Sequence, residues 1–586
     1  MTVVRWMAVL AMGAGLVGCG TVEASLGSGD ASGDGHGIVD ARSDRRDAKE
    51  TGSRDGGSRD AKPADATARD ARTGDATLKD AIAQDARWKD AVSQPDASLD
   101  ARLRDAAESG ADGPLPDETM ISISPLALTP PFSTAIHDYY VRCVEGTNTL
   151  TVTMTAEPGS TIALMQPTTT PSSTHETATL AVAENEALVV GVTTDGGTEP
   201  YWIRCLPHTF PELRMMLHPE AGASTPGYYL VGNIIMPANQ TGYAIALDTN
   251  GVPVWYHTTV NGHGAVDVDT VVPGTISYVG DLPITFSAFS GEYELHDLEA
   301  GTTTYVYPQG TPVDLHELLH LSNGDYLVFS EPVTQGVDLT GLDGFGADAD
   351  ILNCDLEEIN PAGETVWQWV ATDHFDPAQA STWPQTVTVN GVEVVDVFHC
   401  NSIDVDPNGN FLVSARHMDS VFLVSSETGA VLWKIGGSPY SKDDAGYITV
   451  ENDPQTTFHR QHDARLLPEG GLSMFDDETS MPGPARGVVY SLDVDAGTAT
   501  WVWQYEGKGT SLVMGSFRVL PDGSRVIGWG IGGGGSPAFT EVDVEGNDLL
   551  DFAFPDGTQS YRAIKIPVSK FDINLLRATA GETDAG

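Results

Sequence analysis

The sequence predicts an all-β protein: a six-bladed β-propeller preceded by a small β-sandwich and a disordered N-terminal linker. Two patterns and one absence predict it. A strand, an Asp/Glu/Gly turn and a second strand, often Trp-bearing, recur as Tyr243-AIALDTNGVPVWY, Tyr293-ELHDLEAGTTTYVY, Asp355-LEEINPAGETVWQW, Val421-FLVSSETGAVLWKI, Val489-YSLDVDAGTATWVW and Phe539-TEVDVEGNDLLDF. Successive copies start 50 to 68 residues apart, a spacing that suits a four-stranded blade with loop insertions. Upstream, residues 119–207 alternate apolar and polar in short runs such as Ile121-Ser-Ile-Ser and Leu150-Thr-Val-Thr-Met. Such runs, broken by Pro and Gly, are those of a small sandwich. Helical periodicity of convincing length is absent.

The first nineteen residues read as an export signal. Arg5 precedes an apolar run from Trp6 to Leu16, too short to span a bilayer, and Leu16-Val17-Gly18-Cys19 follows. Residues 20–118 form the linker. Asp-Ala recurs there at a five-residue step from Asp60 to Asp90. That period matches neither helix nor strand, and apolar residues are too few to offset the ordering entropy. The sandwich then occupies 119–207 and the propeller 208–586.

The net charge of −51 lies mostly on the folded part, because residues 24–118 hold 21 acids and 14 bases. Neither nucleic acid nor an anionic lipid surface is an expected partner of the folded part. An acidic protein that handles an anion must build its positive pocket locally. Apart from Cys19, the cysteines are Cys143, Cys205, Cys354 and Cys400. Cys143 in Tyr-Val-Arg-Cys and Cys205 in Trp-Ile-Arg-Cys read as matching strand ends, so Cys143–Cys205 and Cys354–Cys400 are the expected pairs. None has metal-ligand spacing.

Three segments carry the chemistry: Asp314-Leu-His316-Glu, Phe398-His399-Cys-Asn401-Ser and Gln461-His462-Asp463-Ala. Each opens a unit of apolar run, Gly-containing turn and apolar run. His316 to Asn323, Asn401 to Asn408 and His462 to Glu469 are each seven apart. Polar residues at one repeated address converge in space, here on the first strands of blades three, four and five. His399 and Asn401, two apart, are expected to share a face. Arg416 ends the second strand of blade four. Three imidazoles, a guanidinium and an amide suit a tetrahedral oxyanion, and a neutral imidazole is a competent nucleophile. His320 lies on the same side of its strand as His316 by alternation, and the seven-residue offset favours His316. His320, His374, His417 and His459 are expected to be structural or surface residues, and His263 fits the turn spacing poorly. Trp255, Trp367, Trp433 and Trp503 read as outer-strand packing. Asp404-x-Asp406-x-Asn408-Gly409 imitates the start of a calcium loop but lacks its distal Glu. No metal and no cofactor are expected, and no phosphate-binding Gly-rich loop is present.

HCNSIDVDPNGNFLVSARHMDSVFLVSSETGAVLWKIGG, followed by FHRQHDARLLPEGGLSMFDD, resembles the arylsulfotransferase family. The resemblance runs over about residues 208–568, is dense from 311 to 477 and includes Tyr561-Arg-Ala. It implies an exported six-bladed propeller that moves a sulfuryl group from a phenolic sulfate donor to a phenol acceptor without the nucleotide donor PAPS. By that resemblance His462 is the nucleophile, passing through a sulfohistidine in a ping-pong cycle. His399 and Arg416 hold the sulfuryl oxygens, His316 completes the oxyanion site or moves a proton, and Asn401 orients or donates to the same group. The alternatives from other classes are a propeller that only binds anions and an aryl sulfate hydrolase. Leu16 to Cys19 likewise resembles the lipobox of bacterial lipoproteins. It implies lipidation of Cys19 and, with Gly20 beside it, an outer-membrane or cell-surface location held by the lipid alone.

Overall fold

The structure is a computed structural model, and it describes residues 118–582 except 235, 238–239, 260–261, 283–290, 311–312 and 533–535. The expected signal peptide, Cys19 and all but the last residue of the expected linker lie outside the described residues. Among the described residues no helix is long and apolar enough to cross a membrane. The protein is all-β, as its alternating runs require.

Residues 120–206 form two sheets. Met120–Ser124, Thr147–Thr155 and His175–Ala183 make one; Asp138–Arg142, Gly197–Leu206, Ala187–Thr194 and Thr161–Gln166 make the other. Alternate residues point inward, as in the exposed–buried sequence of Met120–Ser124, and Ile121, Val141, Val152, Leu164 and Ile203 share one core. Cys143 is bonded to Cys205 within it. The C-terminal helix Ile573–Thr579, capped by Asp572, fastens this part to the remainder. Its Arg577 pairs with Asp138 at 2.6 Å, and Arg204 donates to the Arg577 carbonyl at 2.5 Å.

Downstream, among the described residues, six sets of four antiparallel strands recur; the fourth and fifth belong to one nine-stranded sheet and the sixth to a five-stranded one. Val333–Val337, Ala349–Leu352, Val392–Asp396 and Gln385–Val389 form a separate sheet with one parallel pairing. The first set takes Ala563–Pro567 as its first strand, before Gly227–Gly232, Tyr243–Leu247 and Pro253–Thr258, so distant parts of the chain share one sheet. The second comprises Gly264–Asp269, Thr275–Leu282, Tyr293–Asp297 and Thr302–Val306; the third Val313–His320, Tyr326–Ser330, Asp355–Ile359 and Thr365–Val370. The fourth comprises Cys400–Val405, Phe411–Ala415, Ser420–Val424 and Val431–Ile435; the fifth His462–Leu467, Gly471–Asp476, Arg486–Asp493 and Thr498–Glu506. The sixth, Ser516–Val519, Arg525–Gly528, Phe539–Val542 and Asp548–Ala553, gains Arg214–Leu217 at its edge. The recurring hairpins of the sequence are the third and fourth strands of these sheets, and the four repeated tryptophans lie on the fourth. Gly446–Glu451 runs parallel to an outer strand of both the fourth and fifth sheets and joins them. An insertion before the fourth sheet ends in Val392–Asp396, and Cys354 is bonded to Cys400 at the start of that sheet's first strand.

Neighbouring sheets touch through their first strands, except that Gly264–Asp269 meets the second strand of the first sheet; the sixth sheet returns to Ala563–Pro567. A buried ionic net follows the same circuit. Arg562 pairs with Asp267 at 2.7 Å and Glu317 at 3.1 Å; Arg465 joins Glu317 at 2.6 Å to Asp463 at 2.7 Å; Arg518 reaches Asp463 at 2.8 Å. Arg562 also donates to the Asn401 carbonyl at 2.6 Å, so every one of the six sheets is engaged. Burial acts to raise the Asp463 carboxyl, but Arg518, Arg465 and Arg562 hold it well below the carboxylate range. Charges so placed fix one register among the strands, because an unpaired member would be a bare charge in the interior.

Candidate active site

The three chemistry-bearing segments lie on the first strands of the third, fourth and fifth sheets, and in each the ladder slips. Register shifts fall between Val313 and Leu318, Cys400 and Ser402, and His462 and Arg465. His399 (φ 51°) and Asp463 (φ 54°) adopt left-handed backbone, which is uncommon away from glycine. These irregularities re-aim side chains that a regular strand would send to alternate faces.

Each imidazole is held through Nδ1 by a carboxylate. His316 meets Asp314 Oδ1 at 2.7 Å, His399 meets Asp396 Oδ2 at 2.6 Å, and His462 meets Asp477 Oδ2 at 2.7 Å. The ring centroids of His316 and His399 are 5.0 Å apart, edge to face, and Tyr561 stands 6.0 Å from His316. His417 stacks on His399 at 4.7 Å. It donates from Nδ1 to the Asp396 carbonyl at 2.9 Å and accepts from Arg416 Nη1 at 3.0 Å through Nε2. Arg416 Nη2 donates to the Leu512 carbonyl at 2.8 Å, its Nε is buried without a hydrogen-bond partner 3.7 Å from Asp477, and its guanidinium lies 4.7 Å from the Trp383 ring.

The electrostatics keep His399 and His462 uncharged. Burial first, then His417 and His316, lower His399 to about 4 against the pull of Asp396. Burial, with Arg416, His399, His316 and Arg562, pushes His462 well below its ordinary value. Burial acts to raise Asp396, yet His417 and His399 hold it well below the carboxylate range. Burial acts to raise the Asp477 carboxyl, and the Arg416 guanidinium beside it acts to lower it. No group among the described residues hydrogen-bonds His462 Nε2.

His316, His399, His417, Arg416 and His462 therefore share one site. His417, expected to be a structural or surface residue, is buried and bridges Arg416 and the Asp396 carbonyl, because the chain turns back in a short 3₁₀ segment after Ala415. Asn401 is fully buried, and its amide donates to the Gln461 carbonyl at 2.7 Å, which joins the fourth sheet to the fifth. The left-handed turn at His399 also separates it from the alternation that would place it beside Asn401. His320 is exposed against Tyr326, whereas His316 is buried. His374 pairs with Asp443 and His459 with Glu478. Asp406 accepts from Asn408 and Asn410 in its own turn.

Sequence reasoning missed the carboxylates Asp314, Asp396 and Asp477. Asp314 and Asp477 lay within the quoted segments; Asp396 comes from the insertion and carried no signal. The ligating atoms of Asp396, His399 and His417 lie within 4.8 Å of one another, a spacing that could hold a metal ion. Both His417 nitrogens, however, are already engaged, one by a guanidinium. A cavity of about 380 Å³ lined by Thr382, Asp419, Tyr447, Phe458 and His459 lies elsewhere, and none of His316, His399, Arg416 and His462 lines it.

Residues 293–554 match the family model described as Arylsulfotransferase (ASST), and that match supports the arylsulfotransferase family for this stretch. The matched stretch includes His316, His399, Arg416 and His462, and it supports an arylsulfotransferase-type function in general terms. No curated protein matches the chain. Among solved structures, a Bacteroides caccae protein of unknown function is 15% identical over 58% of this chain and 99% of its own, with a TM-score of 0.35. A Lactobacillus plantarum protein is 14% identical over 58% and 100%, at 0.31. An auxiliary nutrient binding protein from Bacteroides ovatus is 10% identical over 75% and 99%, at 0.26. Likenesses this remote carry no functional argument.

Proposed function

We propose that this protein is a PAPS-independent aryl-sulfate sulfotransferase that works by a ping-pong cycle through a sulfohistidine at His462. The observation that carries the proposal is the His462–Asp477 pair beside Arg416. With Nδ1–H directed at Asp477, Nε2 keeps its lone pair and attacks the sulfur of a phenolic sulfate. The S–O bond to the ring breaks, the phenol departs with a proton, and the ring becomes a cationic N-sulfo imidazole that Asp477 stabilises. An acceptor phenol then attacks sulfur, and the S–N electron pair returns to His462. Arg416, with His399 protonated once the donor is bound, balances the developing oxyanion charge, and His316 lines the same site. Asn401 acts indirectly, by fastening the fourth and fifth sheets.

The six sheets, closed in a circle by the ionic net, are on this reading the blades of a six-bladed β-propeller over 208–586, with 119–207 as a β-sandwich ahead of it. Residues 1–19 act as a lipoprotein signal and 20–118 as a tether, so lipidated Cys19 holds the protein at the outer membrane or cell surface. Loss of fatty-acid labelling in Cys19→Ser checks the anchor.

The test of the activity is a chromogenic aryl sulfate with and without added phenol. Phenol-stimulated release of the chromophore, and addition of one sulfuryl group to His462 by donor alone, are the expected results. Release independent of phenol would make the protein a hydrolase, and binding without release would make it a binder.

A further inference from the structure

His316, Asn401 and His462 share more than the seven-residue step to their turns. Fifteen residues beyond each stand Glu331, Arg416 and Asp477. Each is the first residue after the second strand of its sheet: Tyr326–Ser330, Phe411–Ala415 and Gly471–Asp476. Arg416 and Asp477 both enter the site. Glu331 occupies the same address in the third sheet, where Ser330 pairs with Val313 at the start of the strand that carries Asp314 and His316.

We propose that Glu331 is the acid–base residue that hands a proton to the departing phenol and takes one from the incoming phenol. This rests on the sulfuryl-transfer reading and assigns it a residue. The other candidates are engaged: Asp314, Asp396 and Asp477 each hold an imidazole, and the Tyr561 hydroxyl donates to the His316 carbonyl at 3.4 Å. His462 attacks through Nε2, and the Nε2–H that His399 takes up with the donor is held by a sulfuryl oxygen, so neither serves the phenol. Among the described residues nothing hydrogen-bonds or pairs with the Glu331 carboxyl, and the residue is part-exposed. Its charged neighbours are Asp314 and Asp396, the carboxylates that hold His316 and His399. Burial and repulsion from this pair raise its pKa well above the carboxylate range, so it stands protonated and ready to donate. The sheets bearing Glu331 and His462 flank the fourth, whose Arg416 lies between them in the circuit. An in-line displacement needs its nucleophile and its leaving oxygen on opposite sides of sulfur.

The step balances. As Nε2 of His462 bonds to sulfur, the S–O(aryl) pair moves to oxygen, which takes the Glu331 proton. In the second half the acceptor O–H returns a proton to the Glu331 carboxylate as its oxygen bonds to sulfur and the S–N bond breaks.

The experiment compares Glu331→Gln with the parent protein, using nitrophenyl sulfate and phenyl sulfate and reading single-turnover labelling of His462. A nitrophenolate leaves without help, so labelling from nitrophenyl sulfate should persist within a few-fold, which also shows that the variant folds. Labelling from phenyl sulfate should fall by about 10²-fold or more. Equal losses with both donors, or no loss with either, would overturn the assignment to Glu331. Absence of label in the parent protein would instead overturn the transfer reading, and this proposal with it.

Discussion

His462 Nδ1 lies 2.7 Å from Asp477 Oδ2, and both side chains are almost wholly enclosed. A buried imidazole pinned at one nitrogen has its tautomer chosen by the partner, and the other nitrogen becomes the reactive one. The same arrangement holds His316 and His399, so the site is three oriented imidazoles around one guanidinium. Sequence inspection saw the imidazoles but not the carboxylates that orient them.

Asp477→Asn tests this directly. An amide can present its NH₂ to Nδ1 and leave the proton on Nε2, so the nucleophile is lost while the geometry survives. Sulfuryl labelling of His462 should slow by about 10²- to 10⁴-fold, by analogy with an acid-to-amide change beside a catalytic histidine. Rapid-quench mass measurement of intact protein reads it. Labelling at the parent rate would show that Asp477 does not set the tautomer.

Removing Arg465 should destabilise the fold far more than removing an exposed charge. Arg465→Ala leaves Glu317 and Asp463 buried without one of their counterions. Up to about 3 kcal/mol is expected, the low end for a broken buried pair, because Arg562 still faces Glu317 and Arg518 still faces Asp463. The urea midpoint should fall without a change in slope. A shift smaller than about 1 kcal/mol, the value of an exposed pair, would mean that the ionic net does not hold the circle.

Cys354–Cys400 joins the start of the third sheet's third strand to the residue after His399. The bond closes a loop of 46 residues, worth about 3–4 kcal/mol by loop entropy. Cys354→Ser should lower stability by that order and activity with it, since His399 sits in left-handed backbone beside the bridge. Thermal denaturation and chromogenic turnover measure the two. A variant of unchanged stability and activity would make the bond incidental.

Legibility followed locality. The third-to-fourth-strand hairpins, such as Tyr293 to Val306, were readable because alternation and turn lie within one short stretch. The first strand of the first sheet, Ala563–Pro567, was not, because its partner Gly227–Gly232 is nearly the whole fold away in sequence. Within the site, the repeated address found His316 and His462. It failed at His399 because strand alternation was assumed where the backbone turns left-handed, and at His417 because the turn after Arg416 sends the chain back across Asp396. Glu331 and Asp477 were present in the same periodicity, fifteen residues on, and were overlooked for want of a chemical reason to look there.

Donor binding should take up a proton at His399. In the free protein burial holds this imidazole near 4, so at neutral pH it is uncharged. Its Nδ1–H faces Asp396, and its bare Nε2 would repel a sulfuryl oxygen. An arriving sulfate ester supplies negative charge at that nitrogen and raises the pKa, so the bound form is the imidazolium. The sign follows: between about pH 4 and the raised value, each unit rise in pH should weaken donor affinity about tenfold, because binding and protonation are linked. Below about 4 the dependence should flatten. Calorimetry with a non-reactive aryl sulfonate, in buffers of different ionisation enthalpy, counts the protons taken up. The parent protein should give a net uptake that His399→Gln abolishes; equal uptake in both would place the proton on another group.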